Sequence, residues 1–399
     1  MKITGLRTLR LAAYPRWCVV EIATDEGVIG IGETYDTAEA VEAHLHNTIA
    51  PMLLGRDPRD IEGHWNRIHR ASRLTLGKSM EVRALSMVDV ALWDVTARSR
   101  DEPVWRALGG GCRDRIRVYN TCAGYAYSGS HGGGYHATAR GASNERPYED
   151  LHAFLNDAGA LARSLLAEGY TQMKIWPFDR FAEGGGGQYI SLAQLDEGLG
   201  PFRAIRDAVG DAMEIACELH NLWSLPAAVR IAKGLEEIRP VWIEDPVPMD
   251  NIDTLARFRA ESPAPVCASE TVSTRWGFRE MFDKGATDIA MLDVTWTGGL
   301  SEARKIGYMA EAYHLPATPH DCVGPITLMA SVHLCMHLPN ALVQEAVRAY
   351  VHGWYPEVVT GLPRIENGVV HAPQEPGLGI ALRPELWTRP DATVRESAA

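Results

Sequence analysis

The feature that most constrains the fold is an alternation of strands and helices that runs from Arg115 to about residue 350. Short apolar runs end in polar residues, and a helical stretch follows each of them. Alternating strands and helices form a parallel sheet, and eight such units close into a barrel. We therefore predict an α/β fold with a (β/α)8, TIM-like barrel at residues 113–350. The eight predicted strands are RIRVYNT, TQMKIWP, AMEIACELH, RPVWIEDP, APVCASE, TDIAMLD, LPATPH and NALVQEA.

Residues 1–112 have a different pattern and are predicted to form a smaller α+β unit. RWCVVEIATDEGVIGIGET is typical of a β-hairpin with its turn at Asp25-Glu26-Gly27. The three predicted helices run from Thr37 to Ala50 with a stop at Pro51, from Pro58 to Ala71, and from Ser79 to about Arg98.

Two glycine-rich regions mark the ends of the barrel segment. Gly109-Gly110-Gly111 breaks the helical pattern and is a plausible domain boundary. The Gly- and Pro-rich segment 351–399 contains no further strand–helix unit. We expect this C-terminal segment to pack back on the N-terminal unit.

Charge and cysteine content exclude several classes of protein. The 39 basic and 51 acidic residues give a formal net charge of −12, which argues against a nucleic-acid-binding protein. The seven cysteines are scattered without a C-x-x-C motif, so we interpret them as reduced thiols. The sequence has neither a signal-peptide pattern nor a run of 18 apolar residues. We expect a cytoplasmic protein without a nucleic-acid or membrane partner.

Two long polar inserts interrupt the barrel pattern. Residues 129–147 follow the first predicted strand, and residues 179–194 follow the second. Loops of this length are commonly functional lids or disordered segments. Because both inserts follow the carboxyl ends of strands, we predict that they face the substrate and are mobile without ligand.

Ionisable residues recur at the ends of six consecutive predicted strands. Their spacings are 26, 26, 23, 27 and 25 residues, and they are Glu218, Glu244, Glu270, Asp293, His320 and Glu345. Active sites of such barrels lie at this face, and charged residues are seldom buried unless paired or metal-bound. For any single glutamate the alternative is a surface ion pair. For three at near-equal spacing, mutual repulsion calls for a cation, and all-oxygen ligation suits Mg²⁺.

Two histidines have positions that favour a catalytic role over a structural one. His220 stands two residues after Glu218, so the period of a strand predicts that both side chains point the same way. His320 lies at a strand end in ATPHD. A histidine titrates near neutrality and can therefore accept or donate a proton at working pH.

The motifs together resemble the enolase superfamily, and within it the mandelate racemase-like subgroup, over nearly the whole chain. They are WIEDP, ASE, LDVTWTGGLSEA, TPHDCVGP, QEAVR and the late segment GLPRIENG…PGLGI. The resemblance implies a modified barrel with an N-terminal α+β capping domain and a symmetric homo-oligomer. It implies that Glu218, Glu244 and Glu270 bind one Mg²⁺ per subunit.

The same resemblance assigns roles to five further residues. His320 is the base, Asp293 orients it, and Glu345 hydrogen-bonds the enediolate. His220 falls where galactonate-dehydratase-like members carry a general acid. Lys174 matches the first lysine of the K-x-K motif of the racemases.

Two departures from the subgroup affect these assignments. Glu218 stands where most members have Asp, so its contact with the ion could be shifted. Trp176 occupies the position of the second lysine, and an indole cannot take a proton from carbon. The two-base racemase machinery is therefore incomplete, and we expect Lys174 to steady the substrate carboxylate.

One base and one acid are the minimum for dehydration, so we predict a Mg²⁺-dependent lyase, a hydro-lyase of the acid-sugar dehydratase type. It would convert a sugar acid, an aldonate or similar, to a 2-keto-3-deoxy acid. An epimerase or racemase with His220 as second base is the alternative in the same fold. A barrel that only binds an acid ligand, and cycloisomerisation of the muconate type, are the remaining possibilities.

Overall fold

The computed structural model describes residues 1–72, 79–125, 127 and 147–399, and helices and strands are numbered in chain order through them. Its N-terminal part contains an antiparallel sheet of four strands in the order β16-β1-β2-β3. The strands are Ile3–Leu11 (β1), Tyr14–Thr24 (β2), Ile29–Tyr35 (β3) and Ala392–Ala398 (β16). The predicted hairpin is β2–β3, and Gly27 in its turn has φ +78°, a value that glycine adopts without strain.

The N-terminal part also contains five helices in its described residues. They are Ala38–His44 (α1), Ala50–Leu53 (α2), Ile61–Ala71 (α3), Met80–Arg98 (α4) and Val104–Ala107 (α5). Helices α1 and α4 pack against the four-stranded sheet. The predicted stop at Pro51 is wrong, because a π-helical segment at Leu45–Ile49 leads directly into α2. Pro51 lies in the first turn of α2, where a missing N–H costs nothing.

Helix α4 is almost wholly buried because it lies between the sheet and the barrel. A Cβ added to Gly32 of β3 would lie 2.0 Å from the Met87 carbonyl oxygen of α4, so only glycine permits this approach. On the barrel side, Trp93 Nε1 donates to Ser301 Oγ at 2.9 Å, and Asp89 Oδ1 accepts from the Ser301 amide at 2.9 Å. These contacts hold the N-terminal unit on the barrel.

Eight parallel strands form the barrel, and each corresponds to one predicted strand. They are Arg115–Thr121 (β4), Gln172–Ile175 (β5), Glu214–Glu218 (β6), Trp242–Glu244 (β7), Val266–Ala268 (β8), Ile289–Leu292 (β9), Ala317–Pro319 (β10) and Gln344–Ala346 (β11). Consecutive strands pair from β4 to β10, and β11 pairs with β4. A parallel bridge between Ala317 and Ala341 closes the ring. The predicted fold class is confirmed.

Helices surround the barrel and connect its strands. They are Asp150–Asn156 (α6), Ala158–Ala167 (α7), Asp179–Ala182 (α8), Leu192–Val209 (α9), Leu225–Gly234 (α10), Ile252–Glu261 (α11), Thr274–Asp283 (α12), Gly299–Ala312 (α13) and Pro325–His337 (α14). Short 3₁₀ helices lie at Glu183–Gly185, Gly210–Ala212, Leu235–Ile238 and Pro384–Thr388. No helix in the described ranges has both the length and the apolar character needed to span a membrane.

The C-terminal part of the chain, from Arg348 onward, contacts both other parts of the molecule. Its elements before β16 are Arg348–Val351 (α15), Tyr355–Val358 (α16), Val359–Thr360 (β12), Ile365–Glu366 (β13), Val369–His371 (β14) and Ala381–Leu382 (β15). Strand β14 pairs antiparallel with β4 of the barrel, whereas β16 pairs antiparallel with β1 of the N-terminal sheet.

The alternation of side chains along the strands places apolar residues below polar ones inside the barrel. An apolar interior cluster includes Ala216, Trp242, Met291 and Val343. Two residues further along the chain, on the same face, stand Glu218, Glu244, Asp293 and Glu345. The barrel thus has a packed floor, with ionisable groups above it at the carboxyl ends of the strands.

Candidate active site

A pocket lies between the carboxyl ends of the barrel strands and the N-terminal unit. The barrel supplies most of its described walls, and the N-terminal sheet with the residue after β3 supplies three. The described lining residues are Arg16, Tyr35, Asp36, Thr121, Tyr127, Lys174, Trp176, His220, Glu270, Trp296, His320 and Cys322.

Glu218, Glu244 and Glu270 come together at the mouth of the barrel. Glu218 and Glu244 end adjacent strands in register, and Glu270 follows β8 by two residues. All three are buried, and one carboxylate oxygen from each lies within 4.8 Å of the others. The triad could therefore hold a metal ion.

Neighbouring groups orient two of these carboxylates. Glu218 Oε1 accepts the amides of Leu219 at 3.0 Å and His220 at 2.8 Å. Glu244 Oε2 accepts Trp242 Nε1 at 2.8 Å. Outer contacts of this kind fix the geometry of metal-binding carboxylates.

Lys174 lies among the carboxylates, and its side chain is 2% exposed. Its ammonium contacts Glu244, Glu218 Oε2 at 3.2 Å and Glu345 Oε1 at 3.0 Å. Burial opposes a positive charge here, but Glu244 and Glu345 raise the pKa of Lys174 well above its ordinary value. For Glu244, burial and the neighbouring Glu218 charge raise the pKa of the carboxyl. The carboxylates around Lys174 are therefore stabilised by positive charge, and the Lys174 ammonium provides one such charge.

His320 forms a pair with Asp293. Its Nδ1 lies 2.8 Å from Asp293 Oδ2, and its Nε2 lies 2.9 Å from Glu270 Oε2. Asp293 is itself held in place, because its Oδ1 accepts hydrogen bonds from the amide of Thr295 at 2.7 Å and from the Thr295 hydroxyl at 2.8 Å. The carboxylate on Nδ1 fixes the orientation of the ring, so Nε2 is the nitrogen on the side of Glu270 and the pocket.

His220 forms a second pair, with Asp179, on the β5–β6 side of the pocket. Its Nδ1 lies 2.7 Å from Asp179 Oδ2, and both side chains are largely buried. Burial disfavours the imidazolium, but the charges of Asp179 and Glu218 outweigh burial and raise the pKa of His220 to about 9. The strand-period argument for His220 is wrong, since β6 ends at Glu218 and His220 has φ +48°. The backbone turn nevertheless brings its ring to the pocket.

Glu345 lies in β11 and is fully buried. Its Oε1 accepts the Thr121 hydroxyl and contacts Lys174, and its Oε2 accepts the Asp321 amide at 2.8 Å. All eight predicted site residues therefore lie in one connected cluster around the barrel mouth.

Sequence reasoning missed Asp179, and it expected loops of the N-terminal unit to close the site without naming the residues that line the pocket. Asp179 belongs to the insert 179–194, where a single acidic residue forms no periodic pattern that would indicate a site. Only its position four residues beyond the carboxyl end of β5 could have indicated that it lies near the barrel mouth. Arg16, Tyr35 and Asp36 lie at the open end of the β2–β3 pair, which faces the pocket only because the sheet docks on the barrel.

The two predicted lids have different outcomes. Residues 129–146 lie outside the described part of the chain. The insert 179–194 contains α8 and a short 3₁₀ helix. Its last three residues already belong to α9, which the Ser191 hydroxyl caps. Its Gly187 oxygen accepts the Ser224 amide at 3.0 Å, so the insert packs on the loop before α10. Only Asp179 of this insert reaches the described site, through His220.

Comparison with known proteins reveals matches over both parts of the chain. A family profile described as mandelate racemase / muconate lactonizing enzyme, N-terminal domain, matches residues 9–109. One described as enolase C-terminal domain-like matches residues 157–386.

Curated relatives and solved structures match almost end to end. D-galactonate dehydratase of Ralstonia nicotianae is 30% identical over 99% of this chain and 100% of its own length. Arabinonate dehydratase of Saccharolobus solfataricus is 28% identical, covering 94% of this chain and 90% of its own. The crystal structure of an enolase protein from environmental genome sequencing of the Sargasso Sea is 43% identical, with a TM-score of 0.88. The match covers 100% of this chain and 99% of that one.

Proposed function

The chain belongs to the mandelate racemase / muconate lactonizing enzyme family of the enolase superfamily, as its motifs predicted, and we propose that it dehydrates a sugar acid. The substrate would be an aldonate or similar acid, and the product a 2-keto-3-deoxy acid. The names of the two dehydratase relatives support this reaction type.

The observation that carries the proposal is the pair of histidine–aspartate contacts on either side of the carboxylate triad. Nδ1 of His320 lies 2.8 Å from Asp293, and Nδ1 of His220 lies 2.7 Å from Asp179. Both rings line the pocket. Removal of a proton from C2 and protonation of a leaving hydroxyl at C3 require two such groups.

We assign the metal site to Glu218, Glu244 and Glu270 and the ion to Mg²⁺. The donors fit, because they are buried oxygens held by other contacts and their charge exceeds what Lys174 can balance. When bound, Mg²⁺ would supply positive charge that stabilises the enediolate developing on the substrate.

His320 is the base in this mechanism. Asp293 holds its Nδ1, so Nε2 accepts the C2 proton, and the electron pair left behind delocalises onto the substrate carboxylate. Glu345 and Lys174 lie beside this carboxylate position, where Lys174 adds positive charge and Glu345, in its protonated form, donates a hydrogen bond to the enediolate.

His220 is the acid. It donates a proton to the C3 hydroxyl while the electron pair of the enediolate forms a C2=C3 double bond. The C3–O bond breaks, its electron pair stays on oxygen, and water leaves. The resulting enol, with its hydroxyl on C2, tautomerises to the 2-keto-3-deoxy acid. The contact with Asp179 stabilises the cationic form of His220, which is the form that donates a proton.

The epimerase stays as the second candidate, because two aspartate-held histidines could also exchange one proton between two faces of C2. The test incubates the purified protein with Mg²⁺ and a library of acid sugars in D₂O, and detects keto product and deuterium at C2. We expect a keto product. Inversion at C2 without keto product would identify the epimerase.

Two variants and one control assign the histidines. His320→Asn should abolish both deuterium exchange and loss of water. His220→Asn should slow dehydration by roughly 10²–10⁴-fold while exchange stays measurable. The control is His314→Asn, an exposed position outside the pocket, which should behave like the unmodified protein. Exchange lost in the His220 variant and kept in the His320 variant would reverse the assignment.

A further inference from the structure

The N-terminal sheet presents one ion pair to the pocket in the described part of the chain. Arg16 Nε donates to the Asp36 carboxylate, and both residues line the pocket. Arg16 lies in β2 just before its pairing with β3 begins, and Asp36 follows β3. The Asp36 amide donates to the Arg16 oxygen at 2.9 Å. The guanidinium also lies over the Tyr35 ring, with Cζ 4.4 Å from the ring centroid. Strand pairing and stacking therefore fix this pair at the side of the pocket that faces the barrel mouth.

The pair has no net charge, yet it offers both donors and acceptors. A guanidinium carries five N–H donors, and an ionised carboxylate only accepts. A sugar hydroxyl donates one bond and accepts others, so it matches both members. A carboxylate can bond only to Arg16 and is repelled by Asp36.

The reacting end of a substrate must lie at the barrel mouth, where Lys174, Glu270 and His320 line the pocket. The Arg16–Asp36 pair then faces the opposite end. The nearby Arg83 does not provide a second positive charge at this end of the pocket. It donates to the Tyr35 main-chain oxygen at 2.5 Å and stacks on Trp296 at 3.9 Å, and it does not line the pocket.

We propose that the Arg16–Asp36 pair recognises the hydroxylated end of a monocarboxylic sugar acid and disfavours a second carboxylate there. The preferred class is therefore an aldonate and not an aldarate. This inference rests on the proposed function for the orientation of the substrate.

Asp36→Asn is the informative change. Asp36 has φ +68°, a conformation that Asn tolerates as well as Asp does, so the backbone should be kept. The amide removes the repelling charge and leaves Arg16 as an unbalanced cation. The matched control is Glu21→Gln, which removes the acid from another arginine–acid pair on the same sheet. Arg7 donates to Glu21 at 2.6 Å across β1 and β2, and neither residue lines the pocket.

The experiment measures binding by calorimetry and kcat/KM for an aldonate and for the aldarate of the same configuration, with Mg²⁺ present. The unmodified protein should prefer the aldonate by about tenfold or more, since one like-charge contact is enough for such a factor. Asp36→Asn should reduce that preference by about tenfold, and Glu21→Gln should leave it unchanged.

The outcomes separate this inference from the proposed function. Preference for the aldarate by the unmodified protein, or an equal shift in both variants, overturns the role of the pair. If Asp36→Asn does not fold, the preference of the unmodified protein still decides. Selective binding of the aldonate without turnover supports the pair and overturns the dehydratase. Binding of neither acid overturns the inference.

Discussion

Glu33 is a fully buried carboxyl at the contact between the N-terminal sheet and the barrel. It lies in β3, and its oxygens accept Trp17 Nε1 at 2.7 Å and the Thr327 amide and hydroxyl at 2.6 and 2.8 Å. Thr327 is in the first turn of α14, where the helix dipole favours a negative charge. Burial outweighs these contacts and raises the pKa of Glu33 to about 7.

This shift predicts how stability depends on pH. A carboxyl with a raised pKa binds its proton more tightly in the folded state, so its contribution is present below the unfolded value and is lost as pH rises through about 7. With an unfolded value of about 4.5, the loss between pH 5 and pH 8 is about 2.5 kcal/mol.

Glu33→Gln removes this titration and keeps the size of the side chain. The amide cannot accept from both Trp17 and Thr327, so the variant should be less stable at pH 5. The difference in free energy of unfolding between the two proteins should shrink by about 2.5 kcal/mol from pH 5 to pH 8.

Urea unfolding of both proteins at pH 5, 6, 7 and 8, followed by circular dichroism, measures this difference. Glu236→Gln, at an exposed position, controls for a general effect of losing a carboxyl. A stability difference that is constant from pH 5 to pH 8 would refute the reasoning, because Glu33 would then keep the same charge in both states.

Three further changes test the site and the packing. Glu244→Gln should abolish Mg²⁺ binding and turnover while the fold survives; wild-type Mg²⁺ affinity by calorimetry would contradict the triad. Asp179→Asn should slow dehydration by about 10–100-fold, as loss of an orienting contact does, and should spare deuterium exchange at C2; equal loss of both would make its role structural. Gly32→Ala should lower the free energy of unfolding by about 1–3 kcal/mol or prevent folding, because its Cβ would meet the Met87 oxygen at 2.0 Å. Gly63→Ala, which meets nothing closer than 3.9 Å, should be neutral or stabilising in the same unfolding assay.

The strand and helix pattern determines the barrel from the sequence alone, since period and order are local properties of the chain. Each of the eight predicted strands is present, and the strand-end residues Glu218, Glu244, Asp293 and Glu345 share one face because side chains alternate along a strand. Parallel strands bring their carboxyl ends together, so the position of these groups around one mouth follows from topology.

Contacts between segments that are distant in the chain required the tertiary structure. Asp179 holds His220 across 41 residues, and the turn that brings the His220 ring to the pocket has a positive φ that no period describes. The Arg16–Asp36 pair reaches the pocket because Gly32 lets β3 approach α4, which is bonded to α13. Such contacts depend on how surfaces pack against one another, and packing is decided by the whole fold and not by local sequence.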